Sequence, residues 1–122
     1  MLQLTENNIL EFLKILHNCW SIYSSSKWSL NNPAKGHCGV TALIVNDYFG
    51  GDILKTKTPD GWHFYNRIDE TAFDFTGSQF EEKPVYLDIL STREEAFSDT
   101  NTEQYSYLKE RIQKYMMKKC HN

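Results

Sequence analysis

The spacing of apolar residues predicts two helices in the first half of the chain. Between positions 5 and 20, apolar side chains recur at helical spacing on one face: Ile9, Phe12, Leu13, Leu16 and Trp20. The segment 38–49, CGVTALIVNDYF, is apolar on nearly all sides and is followed by two glycines. Because a helix that is apolar all round is usually buried, we expect the helix at 38–49 to be central and to end at those glycines.

Alternation of apolar and polar residues predicts three strands after the second helix, at 52–58, 61–68 and 71–76. Residues 59–61, Pro-Asp-Gly, are a turn signal between the first two strands. One face of strand 61–68 carries Trp62, Phe64 and Ile68, and the other carries His63, Tyr65 and Arg67. In strand 71–76, Asp74 lies on the face opposite to Phe73 and Phe75.

The rest of the chain predicts a short extended segment and two more helices. Residues 85–89 form the extended segment, Ser91 begins a short helix through a capping box with Glu94, and Asn101 or Thr102 begins the last helix. The last helix has an apolar stripe: Tyr105, Leu108, Ile112 and Met116. This order predicts a single α+β domain over residues 1–122, in which the cysteine-bearing buried helix packs on an antiparallel sheet of three or four strands, flanked by N- and C-terminal helices.

Composition and charge argue against several classes of partner. The 122 residues carry a net charge of −3, and no basic stripe is present, so we do not expect nucleic acid as a partner. No apolar run reaches the roughly 18 residues of a membrane span, and the first residues lack a basic, apolar pattern, so we expect neither a transmembrane helix nor a signal peptide. The odd number of cysteines, Cys19, Cys38 and Cys120, favours free thiols in the cytoplasm.

Cys38 is the candidate nucleophile. It is the first residue of the predicted central helix, where backbone N–H groups and the helix dipole converge. That position favours a thiolate, so we expect the pKa of Cys38 to lie below the free value of about 8.5. A nucleophilic thiol also needs a base and a group that orients the base, and His63 and Asp74 are the candidates. The sequence therefore predicts a catalytic triad of Cys38, His63 and Asp74.

Strand parity places His63 and Asp74 on the same face of the sheet. If residues 67–70 connect the two strands, His63 pairs directly with Asp74. If residues 69–70 connect them, Tyr65 pairs with Asp74 and His63 is a diagonal neighbour. Because side chains alternate with period 2, both registers bring the two residues to one face.

Other residues are candidates for roles around the triad. Asn32 or Gln79 would add a donor to an oxyanion hole formed by the Cys38 backbone N–H. Three aromatic residues are candidates for a cleft that binds an apolar or planar ligand: Trp28, Trp62 and Tyr65.

A zinc site is an alternative use of the same region. Zinc accepts the side chains of His37, Cys38, His63 and Asp74 as ligands. His37 and Cys38 are adjacent, however, and both would have to turn inward at the start of a helix. We therefore predict neither a metal nor an organic cofactor.

Four blocks along the chain resemble the YunG-like family of small bacterial proteins: NPAKGHCGVTALIVNDYFGGDILKT, GWHFYNRID, FDFTGSQF and STREEAFSDT, within residues 28–115. The positions that match the family's motifs are Cys38, Trp62, His63, Asn66, Asp74, Thr76 and Gln79. The family pattern has glutamine where this chain has His37, so an oxyanion role of that glutamine does not carry over. The resemblance implies a bacterial cytoplasmic protein.

The arrangement of a helix-borne cysteine, a strand-borne histidine and a strand-borne aspartate also resembles papain-like and transglutaminase-like cysteine proteins. CGVTALIVNDYFGG is similar to the nucleophile helix of bacteriocin-processing cysteine peptidases. The resemblance implies a papain-like core, and because it concerns the fold, it leaves the substrate open.

Two functions follow as hypotheses. The first is a cysteine-dependent hydrolase or acyl transferase that acts on an amide or thioester in a small-molecule or peptide ligand whose identity the sequence leaves unknown. The second is a non-catalytic binding or adaptor domain, since free cysteines are often buried simply as small apolar groups. Contacts from Cys38 to His63 and from His63 to Asp74, beneath an open cleft, would favour the first.

Overall fold

The computed structural model describes residues 2–120, without the side chains of residues 119 and 120. Its elements are α1 (Glu6–Cys19), α2 (Cys38–Phe49), β1 (Asp52–Thr58), β2 (Gly61–Ile68), β3 (Thr71–Phe73), a single 3-10 turn (Gly77–Gln79), β4 (Ile89–Leu90), α3 (Arg93–Phe97) and α4 (Thr102–Cys120). The four strands form an antiparallel sheet in the order β3-β2-β1-β4, which gives the predicted α+β architecture. None of the helices in this part of the chain is long and apolar enough to cross a membrane.

The pairing of β2 with β3 decides between the two registers that the sequence left open. Ile68 pairs with Thr71 and Asn66 pairs with Phe73, so the connection is the two-residue turn 69–70. Both turn residues have positive φ, as a tight hairpin of matching twist requires. This register makes His63 the diagonal neighbour of Asp74 on one face of the sheet.

Helix α2 is buried at the centre of the fold, as predicted. Leu43, Ile44 and Val45 are fully buried, and the helix packs on the face of the sheet that carries Phe64. The Asn66 side chain on that face donates a 3.0 Å hydrogen bond to the Ala42 carbonyl oxygen. Burial from all sides explains why this helix lacks the polar face that an exposed helix would show.

The opposite face of the sheet, which carries His63 and Tyr65, is covered by the irregular segment 74–88. The Thr56 hydroxyl donates to the Val85 carbonyl oxygen at 2.7 Å, and the Tyr65 hydroxyl donates to Asp88 Oδ1 at 2.7 Å. His63 and Tyr65 are therefore buried. The covering segment is largely irregular, so its path cannot be predicted from hydrophobic periodicity.

Three predicted boundaries are wrong by one to a few residues. β3 ends at Phe73 rather than at residue 76, because the chain turns where the Gly77 N–H donates to the Asp74 carbonyl oxygen. The last strand is Ile89–Leu90 rather than 85–89. Helix α3 is capped by Thr92, whose hydroxyl accepts from the Glu95 N–H at 3.1 Å, one residue after the predicted Ser91.

Candidate functional site

An open cleft of about 520 Å³ lies beside the first turn of α2. Its walls come from the loop before α2, the β1–β2 hairpin, the start of β2 and the 3-10 turn: Lys27, Lys35, Gly36, Cys38, Thr58, Asp60, Trp62, His63, Gln79 and Phe80. Two members of the predicted triad, Cys38 and His63, thus line the same cleft. Trp62 and Gln79, predicted for the cleft and for the oxyanion hole, line it as well.

His63 is held by Asp74. Its Nε2 lies 2.7 Å from Asp74 Oδ2, and Phe80 packs against the imidazole edge to face at a centroid distance of 4.8 Å. A carboxylate only accepts hydrogen bonds, so in the neutral imidazole Nε2 carries the proton and Nδ1 is the basic nitrogen. Asp74 therefore fixes the tautomer of the neutral His63 imidazole, with the proton on Nε2.

The Asp74 carboxylate has three further hydrogen bonds. Oδ2 also accepts from the Tyr86 hydroxyl at 2.6 Å, while Oδ1 accepts from the Thr76 N–H at 3.2 Å and the Thr76 hydroxyl at 3.3 Å. Burial alone would raise the pKa of Asp74, but hydrogen bonds from His63, Tyr86 and Thr76 outweigh it and lower the pKa. Asp74 is thus kept ionised as a partner for His63.

Cys38 contacts the carboxylate of Asp99 rather than His63, the partner that the triad hypothesis assigns to it. The Cys38 thiol donates to Asp99 Oδ2 at 3.3 Å, and the Gly39 N–H donates to the same oxygen at 3.1 Å. His37, at the N-cap position, gives no side-chain cap, so Asp99 caps α2 from the loop between α3 and α4. Within the described residues, no hydrogen bond joins Cys38 to His63.

The prediction of a low pKa for Cys38 is wrong. Cys38 is only 7% exposed, and burial together with the adjacent Asp99 carboxylate raises its pKa to about 12. The helix N-terminus does attract a negative charge, but that charge belongs to Asp99 rather than to the thiolate. The sulfur is therefore a neutral thiol in this structure.

Asp99 packs closely against the first turn of α2. A Cβ at Gly39 would lie 2.6 Å from the Ala96 carbonyl oxygen and 2.7 Å from Asp99 Oδ2, so the residue after Cys38 must be glycine. Sequence reasoning missed Asp99, which lies 61 positions after Cys38. Gly39 is the available signal, because a glycine in the first turn of a buried helix indicates that another segment approaches closely.

The structure places Trp28, Tyr65 and Asn32 away from the cleft walls. Trp28 packs against the hydrophobic core, because the loop after α1 turns its ring inward. Tyr65 is buried beneath the 74–88 segment, where its hydroxyl also accepts from the Asp88 N–H at 2.8 Å. Asn32 donates to the Gln79 carbonyl oxygen at 3.0 Å, so it secures the 3-10 turn rather than facing Cys38.

His37 is turned into the core. It is fully buried, its Nε2 lies 2.7 Å from the Ser24 hydroxyl, and its ring stacks on Trp20 at a centroid distance of 5.4 Å. The candidate zinc ligands His37 and Cys38 therefore have different surroundings. In the part of the chain that the structure describes, no three metal-ligating side chains are grouped so that they could hold an ion.

The burial of His37 predicts acid sensitivity. Desolvation lowers the pKa of His37 from 6.5 to about 4. Between those values the unfolded chain binds more protons than the folded one, so lowering the pH from 6.5 to 4 should cost about 3 kcal/mol of unfolding free energy. Denaturant titrations at several pH values in this range test the prediction. The dependence of the unfolding free energy on pH should be much weaker in His37→Gln, whereas the exposed control His17→Gln should retain most of it. An unchanged pH dependence in His37→Gln would contradict the assignment.

Comparison with known proteins identifies the family. The model of the family described as YunG protein matches residues 8–117. The chain belongs to the YunG family. "Uncharacterized protein YunG" of Bacillus subtilis (strain 168) is 51% identical over 102 residues, which cover 84% of this chain and 89% of that protein. The YunG resemblance inferred from the sequence blocks is thereby confirmed. No solved structure matches the chain, and the papain-like resemblance stays a prediction.

Proposed function

We propose that this member of the YunG family is a cysteine-dependent hydrolase or acyl transferase that acts on an amide or thioester. Cys38 is the nucleophile, His63 the general base and Asp74 the residue that orients His63. The observation that carries the proposal is the 2.7 Å contact between His63 Nε2 and Asp74 Oδ2 at the wall of the cleft that Cys38 also lines. A helix-borne cysteine beside a strand-borne histidine is also the arrangement of a papain-like core.

The chemistry follows from the positions of these groups. The thiol exchanges its hydrogen bond to Asp99 for one to His63, and His63 Nδ1 takes the proton as Sγ attacks the carbonyl carbon. The C–N or C–S bond then breaks, and the leaving amine or thiol takes the proton from His63. Water, or an acceptor alcohol or amine in a transferase, adds to the acyl-cysteine through the same base and restores the Cys38 thiol.

A binding or adaptor domain is the second candidate, and the state of Cys38 favours it. The thiol is neutral, donates to Asp99 and helps to close the first turn of α2. In that case His63 and Asp74 only hold the 74–88 segment against the sheet. The two candidates differ in whether Cys38 ever forms a covalent bond with a ligand.

Acylation of Cys38 separates them. The protein is incubated with p-nitrophenyl acetate or an acetyl thioester, and the acetylated peptide is identified by mass spectrometry while leaving-group release is followed. We expect an acetyl group on Cys38 and turnover, both lost in Cys38→Ala and reduced at least about a hundredfold in His63→Ala. The buried free thiol Cys19 offers a matched control, since Cys19→Ala should retain both signals. Equal acylation of Cys38 with and without His63, or none at all, would favour the binding domain.

A further inference from the structure

Two lysines on one wall of the cleft are held side by side. The hydroxyl of Ser25, which is 3% exposed, accepts from the Lys27 N–H at 3.2 Å and donates to the Lys35 carbonyl oxygen at 3.0 Å. Gly36 has φ of +76°, and a Cβ there would lie 3.0 Å from Lys27 Cβ and collide with the Ser25 hydroxyl. A buried hydroxyl and a left-handed glycine thus bring two ammonium-bearing residues to the same wall.

Neither lysine forms a direct ion pair in the described residues, although Lys27 attracts the Asp99 carboxylate, which Cys38 and Gly39 already hold. Within residues 2–118, the ammonium groups of Lys27 and Lys35 form no hydrogen bond or ion pair. Asp60 lines the cleft with the two lysines, and Asp99 adjoins it through its hydrogen bond to Cys38, so Lys27 and Lys35 are the side chains of this wall that can attract an anion. An anion bound at this wall would be attracted by both ammonium groups.

The β1–β2 hairpin gives the cleft an aromatic surface. Trp62 is 43% exposed, and the ammonium groups of Lys55 and Lys57 lie 4.4 and 4.9 Å from its ring centroid. Lys55 is paired with Glu95 at 2.6 Å, so its charge is largely compensated. The ring offers a planar, partly apolar platform on the same cleft that the lysine pair borders.

We propose that the ligand of this cleft carries a carboxylate that binds between Lys27 and Lys35, and a planar or apolar group that packs on Trp62. The inference rests on the proposed function, because it places the acyl carbon of such a ligand beside Cys38. Within residues 2–118, two ammonium groups that lack a direct ion-pair partner suit a carboxylate as the anion. Lysine is a point charge without the planar fork of arginine, so charge rather than bidentate geometry makes the contact.

The charge preference can be measured at Cys38 itself with two alkylating reagents. Iodoacetate carries a carboxylate and iodoacetamide is its neutral analogue, so the ratio of their rates at Cys38 reports attraction of the carboxylate independently of thiol reactivity. We expect Lys27→Ala/Lys35→Ala to lower this ratio about threefold to fivefold at low salt. The matched control is Lys14→Ala/Lys114→Ala, which removes the same charge from α1 and α4 and should leave the ratio unchanged.

A second measurement does not use the thiol. Quenching of Trp62 fluorescence by iodide, referenced to neutral acrylamide and to Trp62→Phe, should weaken in the Lys27/Lys35 double variant and stay unchanged in the control.

Equal ratios and equal quenching in both double variants would overturn the lysine site, even if Cys38 is acylated. Stronger protection of Cys38 by inorganic phosphate than by acetate, at equal ionic strength, would overturn the carboxylate assignment. If Cys38 is not acylated in the earlier experiment but the ratio of the two alkylation rates still depends on Lys27 and Lys35, only the catalytic proposal is overturned.

Discussion

Replacing Asp99 by asparagine should make Cys38 more reactive toward iodoacetamide by about tenfold or more at pH 8. The carboxylate lies 3.3 Å from the sulfur and stabilises the neutral thiol over the thiolate. Two unit charges about 4 Å apart interact by about 1 kcal/mol in water and by about 4 kcal/mol in a protein-like dielectric. The decrease in the free energy of ionisation of the Cys38 thiol should lie between these two values. The asparagine carbonyl oxygen can still accept from the Gly39 N–H, so the cap of α2 and the fold should persist.

The control for this variant is another acid of the same cleft. Asp60 lines the cleft without a hydrogen bond to Cys38, so Asp60→Asn changes the cleft charge but leaves the thiol contact. Peptide mass spectrometry must assign the label, because Cys19 and Cys120 are also present. A rate at Cys38 that is unchanged in Asp99→Asn, or raised equally in Asp60→Asn, would show that the Asp99 contact does not hold the thiol protonated.

The central elements of the fold were predictable because their signals are local. The apolar run of α2 and the glycine that follows it give both ends of the helix, and alternation gives β1 and β2. Parity restricted His63 and Asp74 to one face before the register was known, since both even-length turns preserve the face. Local pattern thus sufficed to bring those two residues together.

The partners of the candidate site were not predictable, because they come from irregular segments far along the chain. Tyr86 donates to Asp74 from the covering segment, and Asp99 reaches Cys38 from a loop between two helices. Neither loop has a periodic pattern that fixes its path. The helix-dipole argument for Cys38 was sound in sign, but it could not reveal that a carboxylate already occupies the helix N-terminus.

The Asp74 carboxylate predicts a pH dependence of its own. Its pKa is lowered in the folded state, so the stability it contributes is present above its ordinary value of 3.8 and is lost as the pH falls through the lower, folded value. This window lies below that of His37, so the two contributions separate in an acid titration. Asp74→Asn should remove this residue's contribution to the loss of unfolding free energy below pH 3.8. The decrease in unfolding free energy between pH 6.5 and 4, which His37 causes, should remain.

The same variant should lower the acylation of Cys38 about a hundredfold or more if His63 is the base. An asparagine can offer its NH₂ group to His63 Nε2, which favours the tautomer with the proton on Nδ1 and leaves no basic nitrogen for the thiol. Asp88→Asn is the matched control: that carboxylate lies in the same segment and accepts from Tyr65 at 2.7 Å, without touching His63. If Asp74→Asn lowers the melting temperature but acylates Cys38 as fast as Asp88→Asn does, Asp74 supports the covering segment only. If acylation falls while the melting temperature stays close to that of Asp88→Asn, Asp74 acts through the imidazole, because an effect of that size without unfolding requires a change in His63 itself.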